Sequence, residues 1–422
     1  MDRGVRLGRA MVKQAPSTMP TQEPLAFDEA YGEAIHLLRG AIETTVRHAG
    51  GDPERPQVLS REFGLNKNLT WKVSRLIGSD DPIAALRFIP GAAGIRKVRE
   101  AFAPRAGAEA IALLDRALER FDRMVEVHAG DRSSLELLVQ GAAHDRVDPE
   151  THETARRMAF QGNSAIWGVQ ARAQHALRIL APNADDPDWV DVASIGTLHD
   201  FRRMRGETSW LLFTSQSYEV GPGNRLESSS LPLVEPPPGS SMPLMTRFCT
   251  DPLPDVVVSD SGKEKRFELP PGPIGNLGQM TCCYGMVDRK LGRRAMSTPS
   301  PRAELGVNLL TPVEHVQIDI MVHDRLGWDA VPSMELYSRM EGADLGAEAR
   351  QGRSLPFTEP LLSLGRGAKC LSSSIVPRNV ELAEDALETL ELDPGDFRVW
   401  RFSMAYPPIP TTLIYVAPIP AP

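Results

Sequence analysis

The stretch Gln57-Val58-Leu59-Ser60-Arg61-Glu62-Phe63-Gly64-Leu65-Asn66-Lys67-Asn68-Leu69-Thr70-Trp71-Lys72-Val73-Ser74-Arg75-Leu76-Ile77 divides at its glycine into two short helical patterns. Leu59 and Phe63 stand one helical turn apart and share a face. Ser60 is small, where a second helix has to cross closely. Gly64 occupies the turn, where a positive backbone angle is costly for any side chain, and Leu65 plugs the turn into the core. Asn66 suits the N-cap of the second helix, its side chain accepting from the backbone N–H of Asn68 or Leu69. In that helix Leu69, Val73, Leu76 and Ile77 form an inward stripe, and Asn68, Trp71, Lys72 and Arg75 form the opposite one.

Charge separates this stretch from its surroundings. Residues 57–77 hold four bases (Arg61, Lys67, Lys72, Arg75) against one acid (Glu62), a local +3 in a chain of net charge −8. An acidic protein with one basic patch does not coat polyanions indiscriminately, and it suits selective contact with one. At 422 residues the chain exceeds one hydrophobic core, so two domains are expected. Its 41% apolar and 24% charged residues mark a globular rather than a disordered chain. Four cysteines, two of them adjacent (Cys282, Cys283) and none in a Cys-x-x-Cys pair, make neither a disulfide framework nor a structural zinc site. A reducing cytoplasm is the expected compartment. Arg3, Arg6, Arg9 and Lys13 are followed by no apolar run, so residues 1–26 read as a disordered arm rather than a secretory signal. The uncharged tail after Arg401 contains six prolines, which no spanning helix tolerates, so no membrane anchor is expected.

Helical spacing extends outward from the central stretch. Ile35, Leu38, Ile42 and Val46 recur at steps of three and four over 34–48; short helices follow over 83–88 and 95–102. A long helix over 108–128 carries Ile111, Leu114, Leu118, Phe121 and Val125. Another, over 149–180, carries Ile166, Val169, Ala173, Ala176 and Leu180. These narrow stripes fit helices packed within one subunit, and they also fit a dimer seam. After Pro182 the texture changes to alternation broken by Pro, Gly and Ser. Strands are expected over 210–215, 256–258, 266–269, 313–323, 334–337, 397–406 and 411–416, the last two as a hairpin with a long loop, and one helix over 380–390. The expected organisation is an arm over 1–26, a helical domain over 27–106 and long packing or dimerisation helices over 107–182. A strand-rich α+β domain over 183–422 completes it. The fold class is thus an all-helical N-terminal domain followed by an α+β domain.

Residues 57–77 resemble the helix-turn-helix of bacterial transcriptional regulators, in particular the Leu-Ser/Ala-x-x-Phe/Leu-Gly-Leu-x-(+)-x core of winged-helix members. Ser60 stands where Ala is commonest, Thr70 where a branched apolar residue is usual, and 88–96 is too rich in Pro, Gly and Ala for a wing hairpin. The resemblance implies a sequence-specific regulator whose second helix enters the major groove of double-stranded DNA. A groove-reading helix needs amide and guanidinium groups for base edges and cations for phosphate. Asn68 suits adenine, Arg75 guanine or phosphate, Lys67 and Lys72 phosphate, and Arg61 the backbone; Trp71 either meets DNA or packs under a neighbouring helix. One recognition helix makes few contacts, so a homodimer on a pseudo-palindromic site is expected, with the C-terminal domain taking a small-molecule effector or a partner.

Other chemistry leaves fainter traces. Over 313–323, His315, Gln317, Asp319, Met321 and His323 alternate with Val316, Ile318, Ile320 and Val322. The polar set offers acid–base or metal chemistry, but His315 and His323 lie roughly 26 Å apart at strand rise, and a solvated outer face explains the same alternation. His-Glu-x-x-His, Gly-x-Ser-x-Gly and the phosphate- and dinucleotide-binding glycine loops are absent from the sequence, so no catalytic residue, metal ligand or cofactor is assigned. Two competing readings stand beside the regulator. One is an enzyme or small-molecule-binding protein whose helices are scaffold; the other is an interaction module whose basic helix meets an acidic protein.

Overall fold

The computed structural model describes residues 25–142, 149–216, 230–261, 264–297, 301–338 and 352–421. The chain divides into two units, Met1–Arg146 and Val147–Pro422. The described residues are helical up to Trp167 and strand-rich beyond it, an α+β layout. The arm expected over 1–26 lies, but for Leu25 and Ala26, outside the described residues.

The first unit comprises α1 (Phe27–His48), α2 (Pro56–Glu62), α3 (Lys67–Ile77), α4 (Pro82–Ala85), α5 (Ala92–Ala106), α6 (Ala108–His128) and α7 (Arg132–Ala142). Asp81 caps α4 by accepting from the Ile83 N–H at 3.0 Å, and Pro82 fills the first helical position, whose missing N–H costs nothing there. The expected helix over 83–88 is therefore one α-turn followed by a 3-10 turn, Leu86–Phe88. Helix α1 packs against α6. It buries Ala34, Leu38, Ala41 and Ile42, and α6 buries Ala110, Leu114, Ala117 and Phe121. Alanines on both sides allow close approach, so that the Thr45 hydroxyl donates at 2.8 Å to Ala41 O on its own helix and lies 3.4 Å from Ala110 O on the other. Of the expected α6 stripe, Leu114 and Phe121 are buried, and Ile111, Leu118 and Val125 are half-buried against the same core.

The second unit runs α8 (Pro149–Trp167), β1 (Val169–Pro182), β2 (Trp189–Arg203), β3 (Trp210–Gln216), β4 (Ser230–Pro232), β5 (Val257–Asp260), β6 (Glu264–Leu269) and β7 (Met280–Arg293). It continues with β8 (Arg302–Leu309), β9 (Val313–His323), β10 (Ser333–Ser338), β11 (Leu362–Arg366), α9 (Asn379–Thr389), β12 (Phe397–Ala405) and β13 (Thr411–Pro418). A seven-stranded sheet has the order β11-β12-β9-β1-β2-β7-β4, with β1 and β9 parallel and the other pairs antiparallel. Two three-stranded sheets have the orders β10-β13-β8 and β3-β6-β5. One face of the large sheet (Ala176, Val316, Ile318, Phe402) packs on Leu309, Leu336, Leu413 and Tyr415 of β8, β10 and β13. The other face (Leu177, Ile195, Met321, Val399) packs on Leu382, Ala383 and Ala386 of α9 and on Leu371.

Three expectations need correction. The helix over 149–180 ends at Trp167. Gly168 comes next with φ 73° and sits where an added Cβ would lie 2.4 Å from the Arg205 guanidinium, and 169–182 is a central strand. Residues 107–182 are therefore not one helical segment, and α8 with β1 belongs to the second unit. Strands β12 and β13 are not a hairpin: β12 pairs with β9 and β11, β13 with β8 and β10. Both carry a buried apolar face, and placing them in opposed sheets buries Phe402 and Met404 against Leu413 and Tyr415 in one core. Finally, the polar side of β9 is not solvated. Gln317, Asp319 and His323 are all buried, because α9 and the turn before it cover that face. No helix of the described residues is long and apolar enough to cross a membrane.

Candidate functional site

The corner between α2 and α3 is fixed by its own polar groups. Gly64 takes φ 63°, a left-handed angle that glycine adopts without strain. The Ser60 hydroxyl donates to Leu65 O at 2.7 Å and the Leu65 N–H donates to Ser60 O at 3.1 Å, so both ends of the turn are tied. Asn66 caps α3, accepting from the Asn68 N–H at 2.8 Å. Leu59 is fully buried beneath.

The inward stripe of α3 is Thr70, Val73 and Leu76, with Leu69 and Ile77 half-buried on its flanks. Val73 and Leu76 face inward as expected, and Thr70 joins them where Leu69 and Ile77 were expected to be the more deeply buried. A hydroxyl reads as polar, but in a helix it can bond back to the preceding turn. Thr70 Oγ1 lies 3.1 Å from Lys67 O, and the residue is buried to 1% exposure.

The opposite side is open. Arg61, Lys67, Asn68, Trp71 and Arg75 are exposed and Lys72 is half-buried. None of these four arginines and lysines pairs with a carboxylate among the described residues, whereas Arg39, Arg47, Arg99 and Arg120 of the same unit pair with Asp80, Glu43, Asp115 and Glu33. Trp71 neither packs under a neighbouring helix nor stands free. Its indole meets the edge of Phe88 at 5.6 Å between ring centres, and the Arg75 guanidinium lies 5.8 Å from the indole centre. Arg87 in turn lies over Phe88 at 4.9 Å. Sequence reading missed Arg87 and Phe88, because they join this face from the 3-10 turn, with no periodicity linking them to α3. An eleven-residue helix is about 16 Å long, and a helix of ordinary girth fits a major groove about 12 Å wide.

A second arrangement lies inside the second unit. Asp319 on β9 is fully buried and accepts from Gln317 Nε2 at 2.7 Å, Asn379 Nδ2 at 2.7 Å and Arg401 Nε at 2.6 Å, with His175 Nε2 at 3.0 Å. Burial alone would raise its carboxyl, but the bonds and charges of His175 and Arg401 outweigh it and hold it below the usual value. The same donors reach backbone. Arg401 donates to Ser372 O and Leu371 O, Asn379 donates to Leu371 O, and the Ser373 hydroxyl donates to Gln317 Oε1. The cluster thus clamps the segment before α9 onto the sheet. Nearby His199 is pushed down to about 3, chiefly by burial and then by His175 and Arg172. His175 Nδ1, His199 Nε2 and Asn379 Oδ1 are buried without a partner among the described residues. Of the expected polar file, Gln317 and Asp319 come together here. His315 sits at its half-buried end, and His323 pairs with Asp396 instead. Sequence reading missed His175, His199, Asn379 and Arg401. Among the described residues, no group of three His, Cys, Asp or Glu side chains is placed to hold a metal ion.

No protein-family model and no curated protein matches this sequence.

Proposed function

We propose that this chain is a sequence-specific regulator that binds double-stranded DNA by placing α3 in the major groove. The observation that carries the proposal is the exposed outer face of α3, where Lys67, Asn68, Trp71 and Arg75 stand free of any described carboxylate and opposite a buried stripe. Lys67, at the leading end, and Lys72 neutralise phosphate; Asn68 and Arg75 have the amide and guanidinium that read base edges. Arg61 on α2 reaches the DNA backbone. The protein acts in the cytoplasm as a homodimer, since one such helix supplies too few contacts for useful specificity. The second unit senses a small molecule or receives a partner.

Retention of sheared genomic DNA by the purified protein, followed by sequencing, tests the proposal. Retained fragments are expected to share a pseudo-palindromic sequence. Their affinity is expected to fall with salt at a log–log slope of about −0.9 per phosphate contacted. Retention without any shared sequence, or a slope near zero, overturns it.

A further inference from the structure

Trp71 is the feature of α3 that charge does not explain. It occupies the middle of the outer face and is 43% exposed, leaving a large apolar ring in water. The ring is nevertheless held. Phe88 abuts it edge to face, and Phe88 belongs to a turn anchored by buried Ile89, whose carbonyl accepts from Arg132 at 2.7 Å. Arg75 lies on the indole from one helical turn further along. Asn68 lies one turn before, so an immobilised apolar plate stands between an amide and a guanidinium.

The edges of base pairs in a major groove carry donors and acceptors, with one apolar group among them, the C5-methyl of thymine. We propose that Trp71 is a specificity-determining residue that recognises thymine by packing its indole against that methyl, and that Phe88 is the positioning residue that fixes the indole. The positive charge around Trp71 suits a polyanion, and the proposal takes that polyanion to be duplex DNA, resting on the reading above. Burying one methyl group corresponds to about a four-fold change in affinity.

The test uses the full-length protein and a duplex carrying the retained sequence, with each thymine replaced in turn by uracil, which lacks only the methyl. At fixed salt, at least one replacement is expected to weaken binding by about four-fold. Trp71→Ala is expected to bind the thymine and uracil duplexes alike, and Phe88→Ala to show a reduced ratio. Lys72→Ala is expected to weaken both duplexes equally and keep the ratio. Trp71→Phe, which keeps an aromatic ring against Phe88, should keep part of the ratio, and circular dichroism confirms that each variant is folded. Binding of every uracil duplex as tightly as thymine, or an unchanged ratio in Trp71→Ala, overturns this inference alone. Failure of the wild-type protein to retain any duplex, or equal affinity for the single strand, overturns it together with the duplex-DNA reading.

Discussion

Along α3, Lys67 and Arg75 are exposed and Lys72 half-buried, with no described carboxylate against them, whereas in the second unit Asp319 gathers His175, Gln317, Asn379 and Arg401 in a site closed to solvent. The two regions treat charge in opposite ways. An exposed cation keeps its hydration and loses little by being left unpaired, so it is available to an outside anion at no cost to the fold. A buried carboxylate has lost its water and depends on its partners, so each partner is tied to the stability of the unit. The same chemical class of residue is therefore expected to act on binding in one place and on folding in the other.

The largest expected effect lies at the buried end. Asp319→Ala leaves Arg401, whose side chain is only 12% exposed, without a counter-charge, and strips acceptors from His175, Gln317 and Asn379. Removing one partner of a buried ion pair typically costs about 3–5 kcal/mol, read as a lower urea midpoint for the second unit. A loss below about 1 kcal/mol would mean that the cluster does not clamp the segment before α9. At the exposed end, Lys72→Ala with Arg75→Ala is expected to weaken DNA retention by roughly 2–3 kcal/mol and to leave the melting temperature nearly unchanged. If the double variant unfolds instead, those residues are structural and the contrast fails.

How far each region was legible rests on the same physics. The first unit is built from local repeats, so α1, α3 and α6 announced themselves through apolar residues three and four apart. What was missed there was Thr70, whose self-satisfied hydroxyl looked unfit for a core. The second unit is held by pairings between distant segments. Val169, Ala171 and Ala173 alternate with Gln170, Arg172 and Gln174, yet the step from Ile166 to Val169 to Ala173 imitates a helix. Gly168 was the punctuation that separated the two readings. Strands β2 and β7, neighbours inside the sheet, escaped because Asp, Ser, Thr, Gly and His interrupt their apolar runs. Asp319 and Gln317 were visible as a polar file on one strand. His175, 144 positions from Asp319, and Arg401, 82 positions away, could not be linked to it without the fold.

A pH series sharpens the contrast at intermediate size. Burial first, then the neighbouring His175 and Arg172, pushes His199 down to about 3 from its ordinary 6.5. Below pH 6.5 the unfolded chain takes up a proton that the folded chain refuses, so stability falls as the pH drops from about 6.5 toward 3. His315 and His323, also lowered mainly by burial, push the same way. Asp319, held below the ordinary carboxylate value of 3.8, adds its own loss only in stronger acid. Between pH 7 and pH 5 the second unit is expected to lose about 2 kcal/mol through His199 alone, measured as the shift of its urea midpoint. His199→Gln should flatten that slope, and an unchanged slope in the variant would assign the loss elsewhere.

Thr70→Val carries the smallest expected effect. Valine keeps the branched shape and removes the hydroxyl whose only described acceptors are carbonyls of its own helix, Lys67 O and Asn66 O. Those carbonyls belong to the first turn and still accept helix bonds, as from the Thr70 N–H to Asn66 O at 3.1 Å. Losing the side-chain bond while gaining a buried methyl leaves two terms of opposite sign, each about 1 kcal/mol. Stability should therefore move by less than about 1 kcal/mol in either direction, with DNA retention unchanged. Thr70→Lys is the counterpart. On a solvent-facing position lysine would be tolerated and would strengthen retention, but at a site 1% exposed it must bury an ammonium and unfold the corner. A stable Thr70→Lys variant with tighter DNA binding would place residue 70 on the solvent-facing side of α3 and overturn its burial in the core.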